Sequence, residues 1–348
     1  MQSLNQVNGN ESTDARLTSL VSWLRNDCAF IFSSIQPIAG DASFRRYFRV
    51  QTTSGSYIAM DAPPPLENCR PFVAISRALR KHGLLTPEII AFDIERGYLL
   101  LSDFGDATFL KSLHAGNADQ LYRSALDSLS TLQSCRDVPD WIIPSFDATW
   151  MWNEWAWHQE WFLEKWLGIS CGDMKEALDA CFAVLVQSAV TQPQVFMHRD
   201  FHSANLMLLP EGQVGVLDFQ DAFIGPLTYD VASLLRDCYI DWTDEQVHAW
   251  STYYFRRLVD GDVLQQHDLL QYQRWFDLMG IERHLKALLT FARKHVRDHQ
   301  SQYLRHVPRT LTYLLAVTSR YPELVALHTF LKNVVQPNVN KALLTCEQ

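Results

Sequence analysis

Apolar positions follow two regimes along this chain. Up to about residue 101 they come in short runs: Phe30 to Ile38, Phe44 to Val50, Tyr57 to Asp61, Ile89 to Phe92 and Tyr98 to Leu101 read as strands. Turn-forming clusters separate them at Gly40-Asp41-Ala42-Ser43, Thr53-Ser54-Gly55 and Glu95-Arg96-Gly97. Residues 1–13 are polar and expected to fray. Asp14 to Asp27 then carries Leu17, Leu20, Val21 and Leu24 at the spacing of one helix face, with Thr13 or Asp14 placed to cap it. A second helix, Cys69 to His82, follows the chain-breaking Pro63-Pro64-Pro65 and stops at Gly83. From Ala107 onward helical periodicity takes over. One apolar hairpin interrupts it: Leu206 to Leu209 and Val214 to Leu217, around Pro210-Glu211-Gly212. The pattern predicts an α+β protein of two lobes, a β-rich one over residues 1–106 and a mainly helical one over 107–348. The hinge falls near 102–106, and a ligand cleft is expected between the lobes.

Composition narrows the function classes. The 348 residues are 47% hydrophobic, enough for a sizeable core. The net charge is −9 and the Lys and Arg residues form no cluster, which argues against a nucleic-acid partner. Seven cysteines, an odd number with no C-x-x-C, point to a reducing compartment without disulfides or a zinc site. The N-terminal stretch has no basic n-region or apolar h-region, and the longest apolar runs are too short for a bilayer. The expectation is a cytoplasmic monomer that acts on a small molecule, away from membranes.

The chemistry concentrates in residues 198–220. His198-Arg199-Asp200 followed by Asn205 fits the kinase catalytic-loop pattern H-R-D-x-x-x-x-N. The hairpin then delivers Asp218-Phe219-Gln220 where a protein kinase carries D-F-G. Phosphoryl transfer needs a carboxylate to hold the acceptor hydroxyl, here Asp200. It also needs oxygen ligands on separate segments to grip Mg²⁺ on the nucleotide phosphates, here Asn205 and Asp218. No G-x-x-x-x-G-K-[ST] and no G-x-S-x-G occurs, which excludes a P-loop and the usual esterase elbow.

HRDFHSANLM and VLDFQDAFIGPLTYDVASLL resemble the aminoglycoside phosphotransferase-like kinases, a superfamily with the protein-kinase fold. GDASFRRYFRV (40–50), YIAMDAPPP (57–65), LLLSDFGD (99–106), NEWAWHQEWFLEKWLG (153–168) and GIERHLKALLTFARKHVRD (280–298) resemble one branch, the cell-wall-recycling N-acetylmuramate/N-acetylglucosamine anomeric kinases. The likeness runs from about residue 15 to about 335. It implies an ATP- and Mg²⁺-dependent sugar kinase that makes α-1-phosphates for a nucleotidyltransferase. It implies Asp200 at the sugar hydroxyl, Asn205 and Asp218 at the metal, and His198 and Asp230 as supports of the catalytic loop. Ser102, Asp103 and Phe104 would offer backbone groups to adenine. The segment Gly40 to Arg46, with Ser43, Phe44, Arg45 and Arg46, would cover the phosphates.

The departures from the superfamily are specific. There is no G-x-G-x-x-G, and Ile58-Ala59-Met60-Asp61 lacks the β3 lysine, so the lysine–glutamate ion pair of protein kinases is expected to be missing. The phosphate charge is left to Mg²⁺, backbone N–H groups and Arg45 or Arg46, but neighbours on a strand face opposite ways. Glu67 has no assigned role, and Asp221 is a candidate for a second metal or for a surface turn. Trp150 to Trp166 holds six tryptophans, which suit core packing, sugar stacking or an aromatic box for a quaternary ammonium. Glu154 and Glu160 on this segment are candidates for sugar hydroxyls. Arg283 and Lys286 lie near one helix face and are candidates for the lactyl carboxylate of N-acetylmuramate. An aminoglycoside, choline or homoserine kinase, and a nucleotide-binding pseudokinase, are the alternatives.

Overall fold

The computed structural model describes residues 14–38 and 44–346. Residues 1–13, and Gly40 to Ser43 of the expected phosphate loop, lie outside the described residues. The chain divides into two compact units, Met1–Val73 with Pro87–Asp103, and Ala74–Thr86 with Phe104–Gln348.

The first unit is built on a five-stranded antiparallel sheet of order β1-β2-β3-β5-β4, from β1 (Ser34–Ile38), β2 (Arg46–Gln51), β3 (Ser56–Asp61), β4 (Ile89–Asp93) and β5 (Tyr98–Ser102). Helix α1 (Ala15–Ser22) is capped by the Asp14 side chain, which accepts from the Leu17 N–H. It continues as a wider π-type turn over Trp23–Asp27. Leu20, Trp23 and Leu24 bury against Phe48, Val50, Ala59, Tyr98 and Leu100, the core-facing positions of alternate strand residues. The first strand is shorter than its apolar run. The Phe30 N–H is taken by the Leu24 carbonyl, and pairing begins only where Ser33 N–H meets Gln51. Phe44 likewise precedes β2 and is 62% exposed. Gly97 cannot be replaced: its φ is +75° and a Cβ there would meet the Ala62 carbonyl oxygen at 1.9 Å. Helix α2 (Arg70–Lys81) ends before Gly83, whose φ is +89°.

The second unit is mainly helical. Its helices are α3 (Phe109–Ser112), α4 (Ala118–Gln133), α5 (Ala148–His158), α6 (Lys175–Val190), α7 (Tyr229–Leu235), α8 (Asp244–Asp260), α9 (Leu269–Val296), α10 (Val307–Thr318), α11 (Val325–Phe330) and α12 (Gln336–Cys346). The long α9 packs against α5, α6, α7 and α10 and forms the spine of the unit. Two strand pairs complete it: β6 (Gln194–Met197) with β9 (Phe223–Pro226), and the hairpin β7 (Leu206–Leu208) with β8 (Val214–Val216). The hairpin turn uses Glu211 and Gly212, both at positive φ. The strand pairs set the ends of the 198–205 loop and the start of the 217–222 segment. No described helix is long and apolar enough to cross a membrane.

Candidate active site

The loop leaving β6 is anchored from three sides. Asp230, buried at the start of α7, accepts the backbone N–H groups of His198 (2.6 Å) and Arg199 (2.9 Å). Burial outweighs these bonds and pushes the Asp230 carboxyl up to about 7. His198 receives the Asp200 N–H at Nδ1 (3.3 Å) and donates from Nε2 to the Leu217 carbonyl (2.9 Å), which defines a neutral ring. Burial lowers its pKa to about 4, so the ring stays neutral. Asp237 closes the far side by accepting the Ser203 N–H at 3.0 Å. Arg199 (φ +80°) and Asp218 (φ +61°) occupy left-handed backbone conformations, a strain concentrated at the two segments that carry the motif.

These anchors bring Asp200, Asn205 and Asp218 together. Asn205 Nδ2 donates to the Asp200 carbonyl (3.0 Å) and approaches Asp218 Oδ2 at 3.4 Å. Gln220 Nε2 holds Asp218 Oδ1 at 2.7 Å. The amide orientation leaves the Asn205 carbonyl oxygen as an oxygen donor beside a carboxylate. That donor set fits Mg²⁺, which binds through one or two protein oxygens and fills its remaining positions with water and phosphate. Asp221 stands exposed in the following turn.

Asp200 meets two cations from α9. Lys286 Nζ donates to its Oδ1 at 2.8 Å, and Arg283 Nη1 lies 3.8 Å from the same oxygen. Burial alone would raise the Asp200 pKa, but the Lys286 and Arg283 charges outweigh it and hold the carboxyl well below its ordinary range. Burial lowers the Lys286 pKa against the opposing pull of Asp200. Both cations expected to await an acceptor's carboxylate are thus engaged by the catalytic loop. Arg283 also donates to Ser233 Oγ at 3.0 Å.

Arg199, with no contact expected from the sequence, lies over the Trp150 and Phe223 rings and donates to Glu154 Oε1 at 3.1 Å. Trp150 Nε1 donates to the same oxygen at 3.2 Å. Glu154 is 4% exposed and faces a residue that the sequence reading left out of the site, Glu282, which is 1% exposed. The Oε2 atoms of both lack a partner. Burial, then the neighbouring Glu154 charge, raises the Glu282 pKa well above the carboxylate range, against Arg283 and Lys286. The folded chain therefore keeps a proton that the unfolded chain releases above about pH 4.3, and wild-type stability falls as pH rises from there toward the folded-state value. Glu282→Gln carries no such proton. Its Tm relative to wild type is expected to climb between pH 5 and pH 8 in thermal melts, and a constant difference would refute a proton retained on Glu282.

Glu160 stands apart. It pairs with Lys165 at the surface, 2.5 Å away. The tryptophans pack in groups, Trp152 and Trp155 on Phe182, and Trp150 against Trp157 and Phe223. Trp155 is buried on Phe182 and His158, Trp152 and Trp157 are more than a third exposed, and Trp161 lies under Lys165. Most of the segment packs, and the aromatic cluster of Trp150, Trp157 and Phe223 already holds a cation, Arg199.

In the first unit, Arg46 is committed to buried Asp61 (Nε at 3.0 Å) and to Asp14. Arg16 binds the other oxygen of Asp61. Arg45 pairs with Glu67 at 3.1 Å, and the Phe44 N–H donates to the same carboxylate. Ser102 closes β5, its Oγ accepting the Glu88 N–H at 2.8 Å, and Asp103 is pinned by Arg49 at 2.7 Å. Phe104 opens the second unit with its ring against Gly215.

A neutral His198 supporting Asp200, with Asn205 and Asp218 across the loop, is the constellation of a kinase-fold phosphotransferase. This chain belongs to the phosphotransferase enzyme family, whose model matches residues 34–270. Solved structures agree on the fold. An ethanolamine kinase of Plasmodium vivax is similar at TM-score 0.63 (14% identity, 88% of this chain and 90% of that one), and an ADP-bound aminoglycoside phosphotransferase at 0.59 (14%, 86% and 97%). Among curated proteins the likeness is closer. The N-acetylmuramate/N-acetylglucosamine kinase of Pseudomonas aeruginosa is 40% identical over 93% of this chain and 98% of its own length. That of Pseudomonas putida is 39% identical over 90% and 95%. The resemblance read from the motifs is borne out at both levels.

Proposed function

We propose that this protein transfers the γ-phosphoryl group of ATP to the anomeric hydroxyl of N-acetylmuramate and N-acetylglucosamine, yielding the α-1-phosphates in peptidoglycan recycling. The convergence of Asp200, Asn205 and Asp218 carries the reading, and the relatives' names support the acceptor. With Oδ1 held by Lys286, Asp200 Oδ2 is left to hold the sugar hydroxyl. The depressed pKa makes Asp200 a weak base, suited to a loose transition state in which positioning matters more than early proton removal. Asn205 Oδ1 and the Asp218 carboxylate would hold Mg²⁺, which neutralises phosphate charge when bound. Backbone groups of Ser102 to Phe104 receive adenine. The free thiols of Cys28, Cys69, Cys135, Cys171, Cys181 and Cys238 support a cytoplasmic setting, and we read the protein as a monomer.

Arg45 is the better candidate for the charge that a β3 lysine supplies elsewhere. Its pairing with Glu67 rebuilds a cation–carboxylate pair from other positions, whereas Arg46 is consumed by Asp61. Arg45→Ala is expected to raise KM for ATP about ten- to a hundredfold, the worth of one charge-assisted hydrogen bond. Arg46→Ala should chiefly lower Tm, because it leaves buried Asp61 with one partner fewer. An unchanged KM in Arg45→Ala would return the phosphates to backbone and metal alone.

A cationic acceptor fits poorly beside Arg199, Arg283 and Lys286, which disfavours the aminoglycoside and choline readings. A coupled assay with ATP, Mg²⁺ and a panel of N-acetylglucosamine, N-acetylmuramate, choline and kanamycin tests the acceptor class. Turnover of the two sugars only is expected. Turnover of choline or kanamycin without the sugars would refute the reading.

A further inference from the structure

Helix α9 carries a third cation toward this site. Arg293 follows Lys286 by seven residues, two turns on the same face, and so stands about 10 Å farther along the axis. Unlike Arg283 and Lys286, it makes no ion pair among the described residues. Its Nε is buried without a partner, and among the described residues no carboxylate pairs with it. The two carboxylates in electrostatic reach each pair with another cation. Asp298 is held through both oxygens by Arg297 (2.6 and 3.0 Å), and Glu154 Oε1 by Arg199. A half-buried guanidinium with an orphaned donor carries an unrecovered desolvation cost. A ligand carboxylate would recover that cost, since it accepts two parallel N–H bonds from the guanidinium fork.

We propose that Arg293 receives the anionic substituent of the acceptor and sets the preference between carboxylate-bearing and neutral amino sugars. The inference rests on the acceptor reading above. N-acetylmuramate differs from N-acetylglucosamine by a lactyl ether on C3, two ring bonds from the anomeric carbon, whose carboxylate reaches outward from the ring. With the anomeric hydroxyl at Asp200, a cation displaced along α9 suits that group, and Arg283 and Lys286 stay with Asp200.

The test is the ratio of kcat/KM for N-acetylmuramate to kcat/KM for N-acetylglucosamine, measured on one preparation of each variant so that any loss of folded protein cancels. Arg293→Gln is expected to lower the ratio about ten- to a hundredfold, with partial recovery in Arg293→Lys and no change in Arg256→Ala, an exposed arginine of α8. An unchanged ratio in Arg293→Gln overturns the inference and leaves the acceptor reading standing. Wild-type protein inactive on both sugars would overturn the acceptor reading and the inference with it.

Discussion

Asp200→Asn is expected to lower kcat by about 10²–10⁴, the usual contribution of a positioned acid or base group, while ATP still binds. The amide keeps the shape of the side chain but removes the charge that orients the acceptor hydroxyl. It also strips Lys286 and the nearby Arg283 of their carboxylate partner, so some stability should be lost too. Thermal melts and an ATP titration separate the two effects: a folded, nucleotide-binding, inactive protein is the expected result. Near-normal turnover would remove Asp200 from the reaction.

Asp218→Ala is expected to abolish turnover and weaken Mg²⁺-nucleotide binding, because the carboxylate supplies the only formal charge of the Asn205–Asp218 pair to the ion. Alanine is also strained at φ +61°, so Asp218→Asn is the companion variant. Asparagine tolerates that conformation and retains one oxygen donor. Its rate should recover partly at raised Mg²⁺. Full activity of Asp218→Ala at ordinary Mg²⁺ would remove this residue from the metal site.

The catalytic loop was legible in the sequence because its chemistry depends on short spacings. His198, Asp200, Asn205 and Asp218 sit on one loop and one hairpin, and the hairpin turn fixes their register. The sheet was legible for a similar reason, since alternation in Arg46 to Val50 places Phe48 and Val50 inward. Its edges were less so. Nothing local reveals that the Leu24 carbonyl captures the Phe30 N–H and delays the first strand. The polar cluster under the loop was only half legible. Arg283 and Lys286 share a face by periodicity, but their convergence on Asp200 is set by how α9 packs. Glu282 meets Glu154, and Arg199 meets the same residue, across separations that no motif spans. The partners of Arg45 and Arg46, Glu67 and Asp61, likewise lie where strand alternation alone does not identify them.

The position of the transferred phosphoryl group tests the central claim most directly. ³¹P and ¹H NMR of the product formed from ATP and N-acetylglucosamine should show phosphorus coupled to the anomeric proton in the α configuration. The same coupling should appear with N-acetylmuramate. A phosphate coupled to the C6 protons, or phosphate released without a sugar product, would contradict the account.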